Sequence, residues 1–200
     1  MKNILILGLL IVMAGATFGI TTPAFADGLS SANASLTTDE VDDLVFMREE
    51  EKLAHDVYAT LYEKWGLPIF QNIADSEATH TAAVKVLLDR YGIADPAAGK
   101  GVGEFTNPDL QKLYNQLVAQ GSKSLADALK VGIAIEELDI RDLQTRLART
   151  SSADIKLVYN NLLRGSENHL RAFQRQTGES SAAQNQGANG WRSGYRGGRK

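Results

Sequence analysis

Apolar residues recur at three- and four-residue steps between residues 37 and 177, a spacing typical of amphipathic α-helices. No segment of this region alternates apolar and polar residues over a length that would predict a β-strand. Glycines and polar caps divide it into four helices of roughly 25 residues and one short helix. The predicted helices end near Trp65, Gly92, Gly121, Arg149 and Thr177. The third long helix is expected to begin at Ser122 or Ser124, and the fourth at Ser151 or Ser152.

This order of elements predicts an all-α fold: a four-helix bundle, residues 37–177, with a short extra helix in the crossover. The link between the second and third long helices holds about 30 residues, enough to run the length of a bundle. Such a link permits the ferritin-like topology, in which one long connection joins two helical hairpins.

Each long helix interrupts its apolar stripe with polar residues near its middle, and most of these can bind a metal. The first helix places a glutamate there, and the second a glutamate and a histidine three residues apart. The third places two carboxylates and the fourth a serine and a histidine. The interrupting residues are Glu51, Glu77, His80, Glu136, Asp139, Ser166 and His169.

Burying these carboxylates without partners would cost several kcal/mol each, against a typical domain stability of about 5–15 kcal/mol. The second stripe carries no lysine or arginine that could compensate. The chain has no cysteine, so a metal site must use Glu, Asp and His. A pair of divalent ions would balance the charge, while a buried Glu–His ion pair or a wet cavity would use the same residues.

The assignment of each stripe is accurate to about one position. Glu50 could therefore take the place of Glu51, and Glu137 that of Glu136. Glu49 is expected to face solvent. His55 lies beside the first stripe and is expected at the surface or its boundary.

The two ends of the chain differ from the bundle in composition. Residues 1–26 combine Lys2, an apolar run from Ile4 to Ile20 and the small-x-small sequence Ala24-Phe25-Ala26, which predicts a secretory signal peptide. An uncleaved membrane anchor is the alternative. Residues 27–36 are expected to be flexible, and residues 178–200, rich in Gly, Ser, Gln and Asn, to be a disordered tail. The protein is therefore expected outside the cytoplasm, in the periplasm, in the cell envelope or secreted.

The charge distribution argues against nucleic-acid binding. The whole chain carries a formal net charge of −3, and its basic tail leaves the bundle more acidic than that. The tail could make weak membrane or envelope contact through its arginines, Trp191 and Tyr195, although a solvated tail is the simpler interpretation.

Several segments resemble known proteins. Glu51-x-x-Ala54-x-x-x-Tyr58 and Glu77-x-x-His80 are similar to the first- and second-helix patterns of ferritin-like di-iron proteins. Over about residues 38–176, four segments together resemble the domain of unknown function 2202 (DUF2202) family, which is classed as ferritin-like. These segments are REEEKLAHDVY, FQNIADSEATH, ALKVGIAIEELDIRDL and LLRGSENHLRAF.

The resemblance implies a carboxylate-rich metal site, with a di-iron pair as the first expectation and manganese or zinc as alternatives. The implied ligands are Glu51, Glu77, His80, Glu136 and His169, with Asp139 as a sixth. The fourth helix departs from the ferritin-like pattern, because Ser166-x-x-His169 stands where a second Glu-x-x-His is usual. Asp139 could supply the missing carboxylate, and a single metal ion or a mixed pair remains open.

A site of this kind implies oxidoreductase character, such as ferroxidase or peroxide-scavenging activity, with metal ions and O₂ or H₂O₂ as partners. Tyr58 would act beside it as a hydrogen-bond or one-electron donor, unless it only packs in the core. The protein could also form a homodimer. The alternative function is a non-catalytic bundle that captures metal or interacts with the envelope.

Overall fold

The computed structural model of the protein describes residues 36–178. This range contains five α-helices and no β-strand, which confirms the all-α bundle with a short extra helix. The helices are α1 Thr38–Trp65, α2 Pro68–Tyr91, α3 Pro108–Gly121, α4 Leu125–Arg149 and α5 Ala153–Thr177. No helix between residues 36 and 178 is long and apolar enough to cross a membrane. The predicted signal peptide of residues 1–26, nearly all of the segment 27–36 and the tail beyond Gly178 lie outside the described residues.

Local sequence sets the helix boundaries. The Thr37 hydroxyl accepts a hydrogen bond from Glu40 N, and the Glu40 carboxylate accepts one from Thr37 N, which together form a capping box. Gly66 ends α1 with a φ of 61°, a left-handed conformation that disfavours residues with a Cβ atom. Ser124, rather than Ser122, caps α4 through a bond from Asp127 N.

Contacts at the helix ends give the direction of each helix. Helices α1 and α2 form one antiparallel hairpin, and α4 and α5 form another. Trp65 at the end of α1 donates through Nε1 to the carbonyl of Gly121, just before α4 begins. Tyr91 at the end of α2 donates to Asp154 at the start of α5, at 2.8 Å. Helix α1 is therefore antiparallel to α4, and α2 to α5.

The crossover between α2 and α4, residues 92–124, returns along the outside of α1. Its contacts, in order along α1, join Arg48 to Asp95, Lys52 to Gly101, Thr60 to Tyr114 and Trp65 to Gly121. One long connection of this kind between two hairpins is the topology of ferritin-like bundles.

Buried apolar side chains form two clusters that lie towards opposite ends of the bundle. The Phe70 cluster includes Leu53, Val57, Tyr58, Leu61, Phe70, Ile73, Ile135 and Phe173. The Leu143 cluster includes Leu44, Met47, Val84, Leu87, Leu88, Leu143, Ile155, Tyr159 and Leu162. Full burial of such a side chain stabilises the fold by about 1.5–3 kcal/mol. The polar residues that interrupt the four stripes lie between these clusters.

Candidate metal centre

Polar side chains from all four long helices meet in the layer between the two apolar clusters. Helix α1 supplies one carboxylate, α2 a carboxylate and a histidine, α4 two carboxylates, and α5 a serine and a histidine. The members are Glu51, Glu77, His80, Glu136, Asp139, Ser166 and His169. The carboxylates and the serine are at most 6% exposed, and each histidine side chain is 11% exposed. The structure thus places all six predicted ligands in one buried layer.

Three of these residues form a first group around His80. Its Nδ1 atom lies 2.8 Å from Glu77 Oε2 and 3.3 Å from Glu51 Oε2. One ligand atom from each of the three residues lies within 4.8 Å of the others. The three-residue spacing of Glu77 and His80 puts both on one face of α2.

A second group forms around His169 and shares Glu77 with the first. His169 Nδ1 lies 2.7 Å from Glu77 Oε1 and 3.6 Å from Glu136 Oε2. The ligand atoms of this group also lie within 4.8 Å of one another. Glu77 therefore presents one carboxylate oxygen to each histidine, and the two groups are neighbours on either side of it.

The surroundings fix which nitrogen each histidine presents. His169 Nε2 lies 3.0 Å from Ser76 Oγ, so this ring has a hydrogen-bond partner on the side away from the carboxylates. The His80 ring packs against Gly165, where an added Cβ would come within 2.5 Å of its Cε1 and Nε2 atoms. Sequence reasoning missed both supporting residues. A glycine inside a helix is the signal that could have identified Gly165.

The shared glutamate is held in its charged form. Burial acts to raise the pKa of Glu77, but the close approach of His169 and His80 outweighs it and lowers this pKa to about 2. Burial acts to lower the pKa of His80, yet bonding to Glu51 and Glu77 raises it to about 11. The same balance, with Glu136 and Glu77 as partners, raises the pKa of His169 to about 9. Both shifts favour the charged imidazolium form of these histidines when no metal is bound.

Burial disfavours the charged form of the outer carboxylates of the two groups. Burial raises the pKa of Glu51 well above its usual range, and the charge of Asp139 adds to this. Burial, and then the charge of Glu77, raises the pKa of Glu136 to about 8. These shifts reduce the negative charge of the metal-free layer, whereas a bound divalent cation would favour the charged carboxylates.

Several buried polar atoms in the layer lack partners, which fits a cation-binding site. Glu51 Oε1, Asp139 Oδ1 and His169 Nδ1 have no well-aligned hydrogen bond within residues 36–178. His169 Nδ1 is close to Glu77, but the angles are not those of a hydrogen bond. Carboxylate oxygens and imidazole nitrogens together are donors that suit Fe²⁺, Mn²⁺ and Zn²⁺. The residues present therefore fit the metal that the sequence predicts.

Tyr58 contacts this layer directly. Its hydroxyl donates to Glu136 Oε1 at 2.6 Å and lies 3.3 Å from the Gly132 carbonyl. Burial, and then the charge of Glu136, raises the pKa of Tyr58 well above its usual range. Its ring also packs on Phe173, with ring centroids 5.3 Å apart. Tyr58 is thus both a core residue of the Phe70 cluster and a hydrogen-bond donor to a candidate ligand.

Asp139 lies at the edge of the layer and belongs to neither three-residue group. Its Oδ2 atom accepts a hydrogen bond from Ser166 Oγ, which also lies 3.0 Å from the Leu162 carbonyl oxygen. Burial raises the pKa of Asp139 to about 7, against the lowering effect of the Ser166 bond. Asp139 therefore stands beside the serine that replaces the usual second glutamate.

Three further ionisable residues near the layer differ in their exposure. Glu137 is exposed, so Glu136 is the buried member of that pair. Glu50 is 3% exposed, and both its oxygens lack a hydrogen-bond partner among the described residues, yet it belongs to neither group. His55, with 34% of its side chain exposed, lies at the boundary as expected.

The expectation that Glu49 faces solvent is wrong. Glu49 is 2% exposed, and its carboxylate accepts hydrogen bonds from the backbone nitrogens of Thr106 and Asn107. The crossover covers this face of α1, and its backbone needs acceptors there.

A family model and a sequence relative match this chain. The model, described as an uncharacterized protein domain (DUF2202), matches residues 40–186. The uncharacterized protein MJ0754 of Methanocaldococcus jannaschii is 55% identical over 140 residues, which cover 70% of this chain and 76% of that protein.

Two solved structures share the fold. The crystal structure of the hypothetical protein MJ0754 from Methanococcus jannaschii has a TM-score of 0.71 at 53% identity, over 73% of this chain and 83% of that one. A DUF305 fragment from Deinococcus radiodurans has a TM-score of 0.53 at 15% identity, over 72% and 97% of the respective chains, and this likeness shows the fold alone. Since the family model covers most of the chain, the protein belongs to the DUF2202 family of uncharacterized protein domains.

Proposed function

We propose that the bundle binds two metal ions, iron before manganese or zinc, and that with redox-active iron or manganese bound it reacts with O₂ or H₂O₂, as a ferroxidase or a peroxide scavenger. The observation that carries this proposal is the shared Glu77, whose two oxygens lie 2.8 Å and 2.7 Å from the Nδ1 atoms of His80 and His169. A carboxylate with one oxygen on each side suits a bridge between two ions.

The residues of the layer divide the binding between them. Glu51, Glu77 and His80 would hold one ion, and Glu77, Glu136 and His169 the other. When bound, a pair of redox-active ions would supply the electrons for reduction of the oxidant.

Further residues would orient the ligands and exclude water from the site. Tyr58 orients Glu136 through its 2.6 Å hydrogen bond, and Ser76 orients the His169 ring. The apolar clusters on both sides exclude water, which strengthens the electrostatic attraction between carboxylates and cations.

Asp139 and Ser166 form a hydrogen-bonded pair in the same buried layer. Their hydrogen bond uses one oxygen of Asp139 and leaves Oδ1 without a partner within the described part of the chain. Asp139 is thus the candidate for an additional ligand in this layer.

The test measures metal content and turnover together. Stripped protein is titrated with Fe²⁺ or Mn²⁺ without O₂, and the bound metal is counted. Oxidation is then followed by optical absorbance and by consumption of O₂ or H₂O₂. Wild type is expected to bind about two ions per chain, and Glu77→Gln is expected to lose both because both groups share this residue.

The matched control is Glu137→Gln, which removes an exposed carboxylate next to Glu136 and should leave binding unchanged. Wild type that binds neither metal would overturn the proposal. Two ions bound without any consumption of O₂ or H₂O₂ would instead identify a protein that captures metal.

A further inference from the structure

A second polar site lies on the outside of the bundle, between α1, α2 and the crossover. It is a cavity of about 300 Å³ that opens to solvent beside the exposed residues Lys100 and Val102. Its charged and polar lining residues are Arg48, Lys52, His55, Asp56, Thr81 and Lys100. A volume of this size suits a small ligand.

Two buried polar groups of the lining lack partners. Arg48 uses Nε and Nη2 to bind the two oxygens of Asp95, each at 3.1 Å, while its Nη1 atom has no hydrogen-bond partner within residues 36–178. Thr81 Oγ1 is likewise buried and unpartnered there. Arg48 as a whole is 9% exposed, so solvent reaches little of it. Buried polar atoms usually have a partner, and both residues line a cavity that could contain one.

The acidic residue of the lining already has hydrogen-bond partners at both of its carboxylate oxygens. Asp56 Oδ1 lies 2.8 Å from His55 Nδ1, and Asp56 Oδ2 accepts bonds from Lys52 Nζ and from Gly103 N. Lys52 also donates to the Gly101 carbonyl and keeps one further N–H, because an ammonium group carries three. Arg48, Lys52 and Lys100 therefore offer the cavity unused hydrogen-bond donors, and only an acceptor-rich ligand would match them.

We propose that this cavity binds a small oxyanion, for which inorganic phosphate is the model. Arg48, Lys52 and Lys100 carry three positive charges against the two negative charges of Asp56 and Asp95, and the remaining positive charge favours an anion. The Arg48 guanidinium and the Thr81 hydroxyl would bind its oxygens. The site is separate from the metal layer and does not depend on the proposed metal chemistry.

Calorimetric titration of the full chain with inorganic phosphate tests the proposal. The protein is first treated with EDTA, so that phosphate cannot bind through metal ions. Wild type is expected to show saturable binding of one phosphate per chain. A parallel titration with malonate, a dicarboxylate, tells phosphate from carboxylate recognition, and saturable binding of either anion supports an oxyanion site.

Three variants locate the binding. Arg48→Gln and Thr81→Val are each expected to raise Kd about tenfold or more, because each removes a donor to a charged ligand. Lys100→Gln, at an exposed position, should raise Kd by a smaller factor and reduce its dependence on salt. Thr81→Val is close in size to the native residue and disturbs no ion pair, so it remains informative if loss of the Arg48–Asp95 pair unfolds the protein.

Lys130→Gln is the control, since Lys130 is exposed on α4 and does not line the cavity. Absence of saturable binding for both anions would overturn the proposal. Binding that is equally strong in wild type, Thr81→Val and Lys100→Gln would also overturn it, because the anion would then bind elsewhere.

Discussion

Helix α1 buries acidic side chains on two faces, and the two faces differ in the number of hydrogen-bond donors that reach these side chains. On the crossover face, Glu49 accepts two backbone N–H groups, and Asp56 is bonded by Lys52, His55 and a further backbone N–H. On the inner face, the only cationic group that pairs with Glu51 among the described residues is His80 of α2, at 3.3 Å, and Glu51 Oε1 has no hydrogen-bond partner there.

The exposed fractions of these residues are nearly the same, at 1–2%. Burial alone therefore does not separate a structural carboxylate from a candidate ligand. The supply of hydrogen-bond donors does: a saturated carboxylate stabilises the fold, whereas an unsaturated one retains affinity for a cation.

The largest expected effect separates Glu51 from its neighbour Glu50. We expect Glu51→Gln to lower metal affinity by more than the roughly 10–100-fold that is typical of supporting residues, because it removes a charged ligand. Metal-free protein should lose little stability, because burial disfavours the charged form of Glu51 and glutamine has nearly the shape of the neutral form. Titration with Mn²⁺ and thermal unfolding with and without metal measure both effects.

Glu50→Gln is the matched control, because Glu50 is equally buried but belongs to neither ligand group. It should change metal affinity little. Equal losses of affinity in the two variants would contradict the distinction between these adjacent residues.

Gly165→Ala tests the inner face without touching a ligand. The added Cβ would lie 2.5 Å from the His80 ring, so the ring must move. We expect metal affinity to fall by roughly 10–100-fold, as it does when second-sphere support is lost. Gly132→Ala places its Cβ equally close to Phe173 in the apolar core, and should reduce stability far more than affinity. If Gly165→Ala reduced mainly stability and Gly132→Ala mainly metal affinity, the proposed support of His80 by Gly165 would be contradicted.

On the crossover face, Glu49→Gln should destabilise the protein and leave metal binding intact. The substituted amide can accept one of the two backbone N–H groups but turns its own NH₂ towards the other. The expected loss is about 1–3 kcal/mol in the free energy of unfolding, measured with urea. Glu63→Gln, at an exposed position of the same helix, is the control. A lower metal stoichiometry in Glu49→Gln would undermine the division between the two faces.

The smallest effect concerns Glu40, a saturated carboxylate at the start of α1. The hydrogen bond from Thr150, then that from Thr37, lowers the pKa of Glu40 from 4.5 to about 2. Because the folded-state pKa is depressed, its contribution is complete above about pH 4.5 and is lost as the pH falls towards 2.

Glu40→Gln should therefore cost about 1 kcal/mol near neutral pH, a typical value for a helix cap. The difference from wild type should shrink in urea unfolding series as the pH drops from 6 to 2.5. Asp39→Asn, at an exposed position of the same turn, is the control and should show no such convergence. A pH-independent difference for Glu40→Gln would contradict the explanation.

Much of the fold could be predicted from the sequence because its signals are local. Caps such as Thr37 and stops such as Gly66 act within one helical turn, and the structure ends α1 where they indicate. The polar interruptions of the four stripes could also be found, since helical periodicity alone places Glu77 and His80 on the inner face.

The roles of Glu49 and Gly165 could not be predicted in the same way. Glu49 is buried by backbone groups more than 50 positions away, and no pattern within α1 records where the crossover passes. The close contact of Gly165 with His80 depends on how α5 packs against α2. Both depend on tertiary packing, which a single helix does not encode.

The two ligand groups also differ in when they can form. Glu51, Glu77 and His80 all belong to the α1–α2 hairpin, whereas the second group must bring Glu77 to residues that follow the crossover. Contacts between segments close in sequence form at a smaller loss of chain entropy. The first group can therefore assemble once the α1–α2 hairpin has formed, before α4 and α5 pack against it. The second closes only once the whole bundle has folded, so its occupancy would report complete assembly of the chain.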